Sequence, residues 1–181
     1  MQKKLSLCVL VILLSLPVFA GYFDLAFTLG GDAHLYERSL DPSRMKLATG
    51  LSLGLTDTWE LDAQLDTQLI PSLFGDASLS IVARKALLGQ RSTATNVAGV
   101  GINTLLGAGL MFSPYRMDGA FGLSHLLLSL TPLTVGTPVA GKRERLFTLN
   151  LAYNLETHQV SLLFDVILFD FYAVGTYRDY R

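Results

Sequence analysis

The chain has 181 residues, half of them apolar and 16% charged, with 14 basic against 15 acidic side chains and a single cysteine. That length supports one domain, and the charge content lies well below the roughly 25% typical of soluble proteins. The balance offers no basic footprint for nucleic acid.

Residues 1–20 contain Lys3 and Lys4, an uncharged apolar run, and Val18-Phe19-Ala20 ahead of Gly21. This is the order of a secretory signal peptide cleaved after Ala20, and the run is shorter than the roughly twenty apolar residues of an anchor helix. Cleavage would remove Cys8 with both lysines and leave 12 basic against 15 acidic residues, a formal charge of −3. Residues 21–181 then form an exported domain that must be stable without disulfides.

From Tyr22 to Leu29 the pattern has period two, with Phe23, Leu25, Phe27 and Leu29 on one face and Asp24, Ala26 and Thr28 on the other. "RMKLATGLSLGLT" repeats it, Met45, Leu47, Leu51, Leu53 and Leu55 opposing Lys46, Ala48, Gly50, Ser52 and Gly54. "TWELDAQLDTQLI" follows, with Trp59, Leu61, Ala63, Leu65, Thr67 and Leu69 set against Thr58, Glu60, Asp62, Gln64, Asp66 and Gln68. A turn centred on Asp57 pairs Leu55 with Trp59, Leu53 with Leu61 and Leu51 with Ala63, so that both apolar faces coincide. Each arm approaches the 9 to 11 residues with which a tilted strand crosses a bilayer.

Downstream, "ASLSIVARKAL" turns Leu79, Ile81 and Ala83 one way and Ser78, Ser80 and Arg84 the other. Between Ser92 and Tyr115, Gly99, Gly101, Asn103, Gly107 and Gly109 alternate with Val100, Ile102, Leu106, Leu110 and Phe112. Gly119 to Gly141 is ambiguous, because the run around Leu126, Leu127 and Leu128 also permits a helix over 123–130. A turn at Leu155-Glu156 pairs Leu151 with Val160, Leu149 with Leu162 and Phe147 with Phe164. The final "FDFYAVGTYRDYR" is rich in aromatics suited to a bilayer interface.

The expected fold class is all-β, a closed antiparallel transmembrane β-barrel. The faces opposite the apolar ones are rich in Gly, Ser and Ala, as a narrow crowded lumen demands, and closure leaves no sheet edge unpaired in hydrocarbon. Length favours eight strands. Ten is the alternative, obtained by splitting Val97 to Phe112, because eight would place the tight Leu155-Glu156 turn outside and a long Pro132 to Gly141 connection inside. Through the leader, "YFDLAFTL", "MKLATGLSLGL", "WELDAQLDTQL" and the aromatic end, the chain resembles the small outer-membrane β-barrels of the OmpX, OmpA and OmpW kind. The resemblance is one of pattern and implies the outer membrane as location.

A polar lumen network is expected from Lys46, Glu60, Asp62, Gln64, Asp66, Gln68 and Arg84, with Lys46 opposite Gln68 and diagonal to Asp66. Such groups either fill an eight-stranded interior or line a narrow path for small solutes. The segments Gly31 to Arg44 and Pro132 to Arg145 read as loops, and His34, Leu35, Tyr36, Glu37 and Arg38 as a contact surface for an external ligand. His34, His125 and His158 show no metal spacing, and no serine lies in a GxSxG context. The expectation is a non-enzymatic monomer without cofactor, with membrane lipid as its partner and a structural or surface role. A pore, an adhesin, and a soluble sandwich or lipid-carrying barrel are the alternatives.

Overall fold

A computed structural model describes residues 24–35, 45–68, 77–88, 96–97, 100–113, 120–137 and 142–175. The leader lies outside the described residues. Among those described, the strands are β1 (Asp24–Leu35), β2 (Met45–Gly54), β3 (Trp59–Gln68), β4 (Ser78–Ala86), β5 (Asn96–Val97), β6 (Val100–Ser113), β7 (Gly122–Thr137), β8 (Lys142–Asn154) and β9 (Val160–Gly175).

Strands adjacent in the chain pair antiparallel, except that β4 passes over the two-residue β5, which pairs β6; β1 pairs β9, and β4 pairs β6. These last two pairings close an eight-stranded barrel. Asp24 stands opposite Gly175, so the first and last strands bring both ends of the barrel chain to one rim. The β2–β3 turn and the C-terminal ends of β4 and β7 share that rim, while the turn at residues 155–159 and the C-terminal ends of β1, β3 and β6 lie at the other.

The first hairpin has the expected register, Leu53 opposite Leu61, Leu51 opposite Ala63 and Lys46 opposite Gln68. Its turn is fixed by Leu55 N donating to Trp59 O at 2.9 Å and by Thr56 Oγ accepting from Trp59 N at 3.0 Å. Two alternatives are settled and three expectations corrected. Residues 123–130 form strand, not helix, and Val100 to Ser113 is one strand, which removes the ten-stranded alternative. Pro132 to Thr137 extends β7 and Lys142 to Arg145 opens β8, so the expected long loop shrinks to residues 138–141. Gly31 to Leu35 likewise belongs to β1. In the second hairpin Leu151 faces Leu162 and Leu149 faces Phe164, because the turn takes residues 155–159; the faces are as expected but the register moves by two.

The pleat is broken along one line. In β7 the buried residues are Ser129 and Thr131 but then Thr134; in β8, Arg143 and Arg145 but then Thr148 and Asn150; in β9, Leu163 and Asp165 but then Leu168 and Asp170. Between them the adjacent pairs Pro132-Leu133, Leu146-Phe147 and Val166-Ile167 all stay out of the interior. Leu133 pairs Leu146 and Leu146 pairs Ile167, so the three breaks form a continuous seam. Phe147 adopts φ 58° there. Register shifts bound the seam on both flanks, at Asn103/Leu105 against β7 and at Gly31/Asp32 against β9.

Candidate functional site

The interior is ionic. Arg84, Arg143, Arg145, Lys46, Glu60, Asp62, Asp66, Asp165 and Asp170 are all buried. Six of them alternate in sign along a chain of direct contacts. Glu60 receives two bonds from Arg143 at 2.7 and 3.1 Å, and Arg143 reaches Asp170 at 2.8 Å. Asp170 accepts from Arg145 at 2.8 Å, Arg145 holds Asp62 at 2.6 Å, and Asp62 pairs with Arg84. Three guanidiniums meet three carboxylates, so this chain is neutral as a unit. Thr28 donates to Asp170 at 2.7 Å, and Arg84 reaches Ser129 at 3.3 Å. The contacts link β1, β3, β4, β7, β8 and β9 through the barrel axis. Such bidentate and charge-assisted bonds suit arginine, whose planar fork matches carboxylates.

The local structure makes room for this. On β6, a Cβ at Gly107 would lie 2.7 Å from Arg84 Cγ and 2.6 Å from the Ala83 carbonyl oxygen. Only glycine lets the Arg84 stem pass.

Toward the rim away from the chain ends, Gln64 donates to Asp66 at 2.8 Å and Asp165 at 3.1 Å, and Asn150 donates to Asp165 at 3.2 Å. Val82, Met111, Leu127, Ala152 and Leu163 form a buried apolar cluster in the same half. Beyond it, a register shift at Met111/Phe112 turns both Ser124 and His125 inward, where Ser113 Oγ and Ser124 Oγ lie 2.7 Å apart.

Ser124, His125 and Asn154 resemble a hydrolytic triad in composition but not in wiring. Ser124 sits on His125 Nδ1 at 2.8 Å, whereas Nε2 faces the Asn154 amide nitrogen at 3.3 Å. A base toward serine needs an unprotonated nitrogen on the hydroxyl. Asn154 Oδ1 is taken by the amides of Glu156 and Thr157, so its NH2 faces Nε2 and assigns the ring hydrogen to Nδ1, while Ser124 Oγ donates to the Met111 carbonyl at 3.1 Å. Among the described residues no group of three His, Cys, Asp or Glu side chains is arranged to hold a metal ion.

Of the residues singled out from sequence, Lys46, Glu60, Asp62, Gln64, Asp66 and Arg84 point into the interior. The structure joins Glu60, Asp62 and Arg84 through the two arginines of β8. Gln68 stands opposite Lys46 in the ladder, and its side chain lies outside the described residues. His34 and Leu35 end β1, correcting their placement in a loop, while Tyr36, Glu37 and Arg38 lie outside the described residues. Arg143, Arg145, Asp165 and Asp170 were not singled out. Comparison of the chain with protein-family profiles, curated proteins and solved structures gives no match.

Proposed function

We propose that the protein is an integral outer-membrane β-barrel, closed by its own side chains, that serves a structural or surface-exposed role without catalysis. The observation that supports this is inverted polarity. Phe27, Leu51, Leu65, Leu106, Leu110, Leu128, Leu130, Phe147 and Leu151 are exposed while the ions are inside. Water-soluble folds hide apolar side chains and rarely bury charge, whereas a spanning barrel does the opposite.

The apolar band also has a suitable height. On β9 the outward side chains are apolar from Val160 to Phe171; at about 3.4 Å per residue and a tilt of about 40°, this rises about 29 Å, enough to cover the roughly 25 Å band of such barrels. At its lower rim Lys85 lies over Trp59 at 5.8 Å and Lys142 over Phe169 at 4.9 Å, cations and aromatics at the level of lipid headgroups. A lipid-carrying soluble barrel would need an apolar cavity, and this interior is ionic. A conducting path would have to displace the Glu60–Arg84 ion chain and the apolar cluster beyond it.

Carbonate washing of membranes, followed by detergent extraction and gel migration with and without heating, tests the proposal. Retention through carbonate and a heat-dependent shift in migration are expected. Release without detergent refutes membrane integration.

A further inference from the structure

A second buried polar string has its direction fixed by its far end. In the turn at residues 155–159, the amides of Glu156 and Thr157 both donate to Asn154 Oδ1, each at 2.9 Å. With its oxygen so engaged, the Asn154 side chain presents NH2 to His125 Nε2, 3.3 Å away. Nε2 therefore accepts, the imidazole is neutral with hydrogen on Nδ1, and Nδ1 donates to Ser124 Oγ at 2.8 Å. Leu155 N also donates to Ser124 O at 2.9 Å. The turn is thus tied to β7 by one bond that a proton leaves alone and by one that it abolishes.

We propose that this string is an acid-released latch on the β8–β9 turn. A proton on Nε2 converts the acceptor into a donor aimed at the Asn154 NH2, and the side-chain hold on the turn is lost. The latched state has a neutral His125 and the released state a charged one. The released state binds more protons, so the latch weakens as pH falls through the range of about 8 to 5 in which imidazole changes charge. Met111 and Ser113 on β6, Ala152 and Asn154 on β8, Leu163 on β9 and Ser78 on β4 bear no charge. Among the described residues the charged groups toward this end are Glu156 on the turn, Lys46 and Asp66 on β2 and β3, Asp32 opposite Lys46 on β1, and Asp165 on β9, whose carboxylate is held by Gln64 and Asn150 on the other side of the apolar cluster. His158 sits on the outer side of the same turn, 2.7 Å from the Tyr153 hydroxyl, and serves as the control.

The latch goes beyond the membrane proposal and is testable apart from it, on the folded protein in detergent micelles. Amide exchange across residues 154–159, corrected for intrinsic rates, is measured between pH 8 and pH 5. Protection of Glu156 and Thr157 is expected to fall roughly tenfold, the factor equivalent to about 1.4 kcal/mol for one buried hydrogen bond, while the β2–β3 turn is unchanged. His125→Gln should abolish the pH response and His158→Gln should preserve it. A response that survives His125→Gln, or vanishes with His158→Gln, overturns the latch. So does a nitrogen-15 spectrum of the unsubstituted protein at pH 8 that places the His125 hydrogen on Nε2, a measurement that needs no variant to fold.

Discussion

Arg145→Met separates a buried ion chain from decorative surface pairing. Arg145 is 1% exposed and holds Asp62 at 2.6 Å, Asp170 at 2.8 Å and Thr28 at 3.1 Å. Methionine replaces much of the stem without charge, so the chain passes from balance to one surplus negative charge sealed inside the barrel. Removing one partner from a buried ionic group costs about 3–5 kcal/mol. Asp62 keeps Arg84 and Asp170 keeps Arg143, which places the loss near the lower end, about 3 kcal/mol. Adding Asp62→Asn restores the balance, with Arg84 and Arg143 against Glu60 and Asp170, and should recover about 1–2 kcal/mol as a coupling energy. Urea unfolding followed by emission from Trp59, the single tryptophan, reports both values. Lys142→Met is the control: Lys142 and Glu144 lie 2.7 Å apart but each is 35% exposed, so its loss should stay below about 1 kcal/mol. Equal destabilisation by Arg145→Met and Lys142→Met, or a double variant weaker than Arg145→Met alone, would refute the ion chain as a stabilising unit.

Three further outcomes follow. Leu128→Arg, on a residue 52% exposed in the middle of the apolar band, should cost about 2–4 kcal/mol in a bilayer; in water an exposed substitution of this kind stays within about 0.5 kcal/mol, so unfolding in lipid vesicles discriminates the two solvents. Gly107→Ala should destabilise by about 1–3 kcal/mol through overpacking against Ala83 and Arg84, whereas Gly31→Ala, whose Cβ meets nothing within 4 Å, should change stability by less than about 0.5 kcal/mol in the same assay. In planar bilayers the purified protein should show no steady ohmic conductance; channels that Asp62→Ala and Asp66→Ala abolish would mean that the interior opens.

The first hairpin was legible because nothing interrupts its period. Leu51, Leu53 and Leu55 oppose Ala63, Leu61 and Trp59 across a turn whose threonine side chain caps its own backbone, and one residue of slip would have reversed every side chain. Half of the ion chain, Glu60, Asp62 and Arg84, was visible for the same reason. The second hairpin was legible only in its faces. Its turn takes five residues because Asn154 Oδ1 gathers the Glu156 and Thr157 amides, a local bond that composition does not announce.

The other half of the ion chain was hidden by the seam. Counting back from Leu151 and Leu149 in steps of two puts Arg145 and Arg143 on the outer face, where a run of charged residues reads as a solvated loop. In the barrel, Leu146 and Phe147 both turn outward and the count restarts, so both arginines enter the interior. A single strand could not do this alone, since its side chains would then oppose the facing of its neighbours. Pro132-Leu133 and Val166-Ile167 therefore break at the same level, and the register shifts beside Thr104 and Gly31 absorb the change before it reaches β6 and β1. Phe147 at φ 58° carries a strain of about 1–3 kcal/mol. Without the break, Arg143 and Arg145 would face outward near the lipid interface at about 0–1 kcal/mol each, and Glu60, Asp62 and Asp170 would lose these two guanidiniums inside, at about 3–5 kcal/mol for a broken buried pair. The strained residue is the smaller cost, which is why an irregularity that looks like a defect in the pattern is what assembles the ionic interior.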